Sequence, residues 1–246
     1  MPISPNQGST GGGTTVTITG TNLGSATAVK FGSKPATITS NTPTSVTVTS
    51  PSGTGTAPVT VTTAAGASNP LNFYYIGAPF KASLSAASGP SAGTNTVTIS
   101  GIALATATSV AFGGNSATPT VTSDSLLNVT VPAGTSGSVG VSVTTAGGTN
   151  NGFSYTYVDV PTIIELAPTS GSTSGGTAVT ITGTELATTE SVTFDGVTAP
   201  FAVVNSTTLS VVTPPGSAGA VDVVVNTTGG GVTAAGGFTY VASPGI

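Results

Sequence analysis

Seven carboxylates and three lysines are the only charged side chains in this 246-residue chain, and it contains no His and no Cys. Two carboxylate pairs stand close enough in sequence to act together. Glu185 and Glu190 flank a turn, and paired carboxylates divide the acid and base work of glycoside hydrolysis. Asp159 and Glu165 could offer oxygens to calcium, which takes about six to eight of them, usually with several carboxylates. Neither pair has a counterpart elsewhere in the chain, so both read as solvated surface charge. Without His or Cys no Ser–His or Cys–His nucleophile can be assembled. The chain is therefore expected to have no catalytic, cofactor-binding or metal-ligating residue, to need no cofactor and not to be an enzyme. Its ligand-binding residues stay unassigned.

A glycine-rich stretch, Gly11 to Gly24, reads GGGTTVTITGTNLG. A phosphate-cradling loop would continue into a helix and carry a Lys-Ser/Thr pair. Neither follows here. The stretch also recurs, as SAGTNTVTISGIAL at 91–104 and SGGTAVTITGTELA at 174–187. Val16, Val97 and Val179 correspond, as do Phe31, Phe112 and Phe194. An aromatic pair closes each copy: Phe73/Tyr75, Phe153/Tyr155 and Phe238/Tyr240. The chain is three copies of one unit, each long enough to be a small domain. The expected boundaries are 1–77, 78–158 and 159–246, with a proline near each joint to stiffen it.

Within each copy the apolar residues alternate. Val16 and Ile18 face one way and Thr15, Thr17 and Thr19 the other; Val46/Val48, Val129/Val131 and Val221/Val223/Val225 repeat the pattern. Period-two alternation with β-branched residues marks strands buried on one face. Runs broken by Gly, Pro, Asn and Ser predict about seven strands per copy, as in an immunoglobulin-like sandwich. The glycines at 11–13 and 175–176 then serve a turn in which positive φ costs little. Gly20, Gly101 and Gly183 are expected to end the strand that follows it. Phe31, Phe112 and Phe194 are expected in equivalent cores.

These residues resemble the IPT/TIG family of immunoglobulin-like modules. The shared signature is P-x-x-G, then GGT-x-VTITGTNL, then V-x-FG, two V-x-V strands and a final F-x-Y strand. The first copy supplies Pro5, Gly8, Gly12, Val16, Ile18, Gly20, Leu23, Val29, Phe31 and Gly32. The third supplies Pro168, Gly171, Gly175, Gly176, Val179, Ile181, Gly183, Leu186, Val192, Phe194 and Gly196. The second departs from it, with Asn95-Thr96 after a single Gly93 and ISGIAL in place of ITGTNL. The resemblance implies an all-β chain of three tandem immunoglobulin-like sandwiches forming an elongated rod. It implies spacer, dimerisation, adhesion or carbohydrate-accessory roles without choosing among them, because the matching residues are turn and core positions.

Charge narrows the partners. Only 4% of residues are charged and there is no arginine. Residues 1–77 carry a formal +2, residues 78–158 are neutral and residues 159–246 carry −6. Nucleic-acid binding needs several cations on phosphates, and none of the copies supplies them. No apolar run exceeds four residues, so no helix is expected to insert in a membrane, although mean hydropathy is +0.36. Met1 is followed directly by PISP, with no basic region or apolar stretch, so no signal peptide is expected. Sugar recognition favours exposed aromatic platforms. Tyr74, Tyr157 and Phe201 break the repeat register and are the candidates for an exposed platform, with an edge or interface contact the favoured reading for them. Thr rows could order ice, but sandwich sheets twist and each row is short. Asn128, Asn205 and Asn226 fit glycosylation sequons that chance supplies in a chain this rich in Asn and Thr.

The functional expectation is a non-enzymatic structural or adhesion protein, extracellular or displayed on a virion as a phage capsid or tail decoration. The alternatives are a secreted or cell-surface adhesin or spacer, and a carbohydrate-binding accessory module. Its partner is expected to be a protein of the virion or cell-surface scaffold, with cell-surface glycans as a further candidate. Docking is expected through the first copy, which is net positive and has a shortened first strand after Met1-Pro2. The third copy is expected to stay solvated and to point outward.

Overall fold

The computed structural model describes residues 2–244, so Met1 of the expected docking segment lies outside the described residues. Strand is nearly the only regular secondary structure of the described residues, which include a single 3-10 turn at Leu186–Thr188. It groups into two compact bodies. One takes the chain up to Ser85 with Thr96–Thr130 and Gly140–Phe153. The other takes Ala86–Asn95, Val131–Val139 and the chain from Ser154 onward. The first sandwich lies wholly in the first body, and the third wholly in the second.

Each repeat has seven strands, some broken in two. In the third, one sheet has four strands, ordered Thr162–Ala167, Ala178–Thr184, Thr208–Val212, Phe201–Asn205. The other has five, ordered Ser170–Ser172, Gly230–Val241, Gly219–Thr227, Thr189–Phe194, Val197–Thr198. The second repeat has the same two sheets in the same order. The opening strand is split in every repeat: its first half pairs antiparallel in one sheet and its second half parallel in the other. Another strand also changes sheets midway. In the first repeat it runs unbroken as Lys34–Thr42 and pairs with both sheets. In the other two it breaks around Pro119 and Pro200, which have no N–H to give a ladder.

The alternation reads directly onto the core. Val16 and Ile18 are fully buried and stand opposite Val48 and Val46. Val97/Val129, Ile99/Leu127, Val179/Val211 and Ile181/Leu209 repeat the arrangement. Phe31, Phe112 and Phe194 are buried at equivalent places, paired to Val59, Val141 and Val223. In the first and third repeats an edge-to-face chain of rings completes the core. Phe31–Phe73 centroids are 5.0 Å apart and Phe73–Tyr75 5.1 Å; Phe194–Phe238 and Phe238–Tyr240 are 5.3 and 5.2 Å apart. Such edge-on pairs match ring edges to ring faces, beyond the area they bury.

The second repeat corrects the expected aromatic register. Tyr155 and Tyr157, 5.2 Å apart at 75°, fill the places of Phe73/Tyr75 and Phe238/Tyr240, and Phe153 is only half-buried. The phenols fix this register. Tyr157 Oη donates to the Pro132 carbonyl at 2.8 Å, as Tyr75 does to Pro51 and Tyr240 to Pro214. Gly134, Gly53 and Gly216 lie against those three rings, where a Cβ would overlap ring atoms. Tyr157 is thus 1% exposed rather than a surface platform. Phe201 is half-buried and packs against the third core from an edge strand. Tyr74, of the three candidates, is exposed, at 44%.

The glycine turn behaves as expected at one position and more tightly at another. Gly12, Gly93 and Gly175 all have positive φ, and a Cβ there would meet backbone atoms of the neighbouring loop at 2.5–2.7 Å. The next residue is Gly13, Thr94 or Gly176, again with positive φ, but Gly13 and Gly176 have open space around them. Thr therefore fits at position 94 at the cost of backbone strain alone. Gly101 and Gly183 lie inside strands Thr96–Ile102 and Ala178–Thr184 rather than ending them. There a Cβ would strike the carbonyls of Phe80 and Thr162 on the neighbouring strand, so close approach demands glycine.

Candidate functional site

A crevice of about 470 Å³ lies in the first repeat. Phe31 ends its strand, Gly32 turns the chain at φ 62°, and Ser33 and Lys34 follow on the rim. Tyr75 and Pro58 contribute apolar surface; Thr10, Ser52, Thr54 and Thr56 contribute hydroxyls. Lys34 Nζ donates to Ser52 O at 2.8 Å and to Ser52 Oγ at 3.3 Å, which draws the ammonium across one side. Burial pushes the Tyr75 phenol above the usual tyrosine range. Its proton is committed to Pro51, so it is a structural hydrogen bond rather than a proton donor to a ligand.

The third repeat has the same crevice, of about 380 Å³, with Thr173, Phe194, Gly216 and Tyr240 at matching places. Here Asp195 replaces Gly32 and Val197 replaces Lys34, so the cation of the first crevice gives way to a carboxylate. Asp195 is exposed, with φ 49°. Neither crevice brings together a nucleophile with a base, or two carboxylates. Each offers an open, hydroxyl-lined hollow with one exposed charge.

The sequence-predicted pairs are scattered. All seven carboxylates are exposed. Glu185 holds a left-handed loop position with φ 56°, the place taken by Asn22 and Ala103 in the other repeats. Glu190 is the extra residue of a bulge between Thr189 and Ser191. Asp159 and Glu165 lie on the surface, and among the described residues no three His, Cys, Asp or Glu gather into a metal-binding group. The sequon asparagines hold local hydrogen bonds. Asn128 Oδ1 accepts from Thr98 Oγ1, Asn205 Oδ1 accepts from Thr207, and Asn226 Nδ2 donates to Ser191 Oγ.

Sequence reasoning missed one buried ion. Lys81 is 6% exposed. Its Nζ donates to the Val141 carbonyl and stands 5.4 Å from the Phe153 ring centroid. Burial holds the ammonium below the usual lysine range. The third repeat has Ile163 at this register position, opposite Gly183 as Lys81 is opposite Gly101. A lysine in a strand that otherwise alternates looks like an ordinary surface charge, so only that alignment with Ile163 could have flagged it.

With this geometry the relationships are plain. The IPT/TIG domain model matches three times, at residues 1–75, 79–157 and 161–240. The chain belongs to the IPT/TIG domain family, as three tandem immunoglobulin-like copies. A search by sequence finds no curated protein that matches. Among solved structures it is similar to the extracellular region of plexin A4, at 21% identity and TM-score 0.50, covering 88% of this chain and 21% of that one. It is also similar to the Escherichia coli adhesin FdeC, at 13% identity and TM-score 0.33, covering 97% and 92%. A third likeness is to the Bacteroides ovatus glucan-utilization protein SGBP-B in complex with a mixed-linkage heptasaccharide. That match has 17% identity and TM-score 0.30, covering 96% and 65%. These likenesses speak to fold. The chain spans about a fifth of the plexin chain it matches. No helix among the described residues is long and apolar enough to cross a membrane.

Proposed function

We propose that this chain is a non-catalytic spacer and adhesion protein displayed on an extracellular surface, and that its carrier is a virion. The observation that carries the reading is the division of labour within each repeat. Residues locked by backbone geometry or core packing recur: Gly12/Gly93/Gly175 and Phe31/Phe112/Phe194. Outward positions change in charge and polarity from copy to copy, as Lys34 and Val197 do. A scaffold kept constant while its surface varies suits display rather than chemistry. We further propose that residues 1–77, 78–158 and 159–246 fold as separate domains, and that the first, the only net-positive one, docks on the carrier.

The test is antibody labelling of intact particles and cells from the source. The reading expects the antibody to decorate purified virions, with epitopes in 159–246 reached more readily than those in 1–77. Labelling of cell surfaces alone would move the carrier to the cell. Turnover of any glycoside by the purified chain would overturn the non-catalytic reading. A second reading, glycan binding in the first crevice, rests on its hydroxyl rim and Lys34. A glycan array with wild-type and Lys34→Ala chains decides it: loss of a specific signal in the variant supports it, and a blank array refutes it.

A further inference from the structure

Apolar exposure is concentrated in one repeat. Among the described residues ten large apolar side chains are strongly exposed, and seven of them, Val160, Ile164, Val197, Val203, Val204, Val212 and Val241, lie between residues 159 and 246. Two of the seven, Val203 and Val204, share one edge strand, and Val212 lies on its partner strand across from Pro200, at the other end. Strand Phe201–Asn205 is the last strand of its four-stranded sheet, paired with Thr208–Val212 on one side and, among the described residues, with no strand on the other. Val203 is 40% exposed, Val204 61% and Val212, on the partner strand, 42%.

The other repeats show what this edge ordinarily carries. All three have a bulge at the same point of the strand, where the extra residue is Thr39, Thr122 or Val204. Thr39 Oγ1 donates to the Thr47 carbonyl at 3.1 Å, so in the first repeat the bulge residue is a polar one that bonds back to its own partner strand. Val212, paired to Ala178, stands where Thr49 is paired to Thr15 and Thr130 to Thr96. The third repeat has thus exchanged threonine for an apolar residue three times over, at 178, 204 and 212. An exposed apolar edge is a template for strand addition, and here the five-residue strand keeps the bulge of the other repeats but not its threonine.

We propose that this edge, Phe201–Asn205, is a docking site for an extended cationic protein segment that adds to the sheet as a further strand. Charge selects the occupant. The 3-10 turn Leu186–Thr188 lies against the edge strand, and Leu186 N–H donates to Ser206 O at 2.9 Å. Glu185 and Glu190 flank that turn and are both exposed. Residues 159–246 hold six carboxylates and no cation. Two copies meeting edge to edge here would bring like charges together, whereas a segment alternating apolar and basic residues satisfies both the valines and the glutamates. The inference holds whichever surface displays the chain.

The experiment is fluorescence anisotropy on the intact chain. The probe is a labelled synthetic peptide of about ten residues alternating valine with lysine; the control replaces lysine with glutamate. The lysine peptide is expected to bind at least about ten-fold more tightly, and to weaken steeply with salt. The variant Val204→Thr, which restores the bulge residue of the other repeats, should lose about five-fold or more in affinity with an unchanged melting curve. Glu185→Gln/Glu190→Gln should flatten the salt dependence. Equal binding of both peptides, no binding, or binding unaffected by the threonine variant would overturn the proposal. Sedimentation showing a dimer that the threonine variant abolishes would also overturn it, and would give the edge to a second copy.

Discussion

The second and third repeats carry the same strands in the same order, yet they differ at matched places. Lys81 crosses into the second core where Ile163 packs in the third. Thr94 takes a left-handed position that Gly176 takes. At the start of the four-stranded sheet Phe80 and Ile102 face each other, each 59% exposed, where Thr162 and Thr184 share a 2.8 Å hydrogen bond. By contrast Gly93 and Gly175, or Phe112 and Phe194, do not change. The difference teaches that this fold constrains a residue where backbone or packed rings leave no volume. Where strain alone or solvent sets the terms, or where a long side chain still reaches an acceptor as Lys81 reaches Val141, substitutions accumulate.

The largest effect should come from the shared phenylalanines. Phe112→Ala or Phe194→Ala should cost about 3–5 kcal/mol in denaturant unfolding, because each removes a ring from a filled core. A loss below about 1 kcal/mol would break the equivalence of the two cores. Next come the paired turn positions. Gly175→Ala drives a Cβ into the Pro214 backbone at 2.6 Å and should cost more than about 2 kcal/mol. Gly176→Ala meets only open space and should cost about 1 kcal/mol from its positive φ. Equal losses at the two positions would refute the volume argument.

Lys81 sharpens the comparison through pH. Its folded value is depressed by burial, so between that value and the ordinary lysine range the unfolded chain binds more protons. Stability contributed by this group therefore rises with pH across that window, and below it the buried charge weighs on the fold. Lys81→Met should raise the melting temperature at neutral pH and remove the rise. The buried tyrosines Tyr75, Tyr155, Tyr157 and Tyr240 act oppositely. Burial raises them, so their contribution is complete below the ordinary tyrosine value and is lost as pH climbs past it. A Lys81→Met chain with a lower melting temperature would show that the bond to Val141 outweighs the buried charge. The smallest effect is Thr94→Gly, which should stabilise by about 0.5–1 kcal/mol as left-handed strain is relieved against the chain entropy glycine adds.

Much of this was legible in the residues. Val16 and Ile18 announced their strand by alternation, and the offsets of Phe31, Phe112 and Phe194 announced the repeats. The aromatic register of the second repeat was not legible. Phe153, Tyr155 and Tyr157 share one parity, so alternation leaves the choice open; the glycine beneath the ring and the carbonyl acceptor at Pro132 decide it. Lys81 was hidden for a related reason, since a long side chain can follow the core inward from an edge strand. The two crevices were hidden as well, because their walls come from loops far apart in sequence. The apolar edge at 201–205 was visible only as one more Val-rich strand. Its meaning depends on the strand being last in its sheet, which topology alone reveals.

The central claim is that three equivalent sandwiches stand in one chain and fail separately. Amide hydrogen exchange on the intact chain carrying Phe194→Ala tests it most directly. Protection should fall across residues 159–246 while the amides of Val16, Ile18, Val46 and Val48 keep their wild-type rates. A common loss of protection from the first repeat to the third would contradict it.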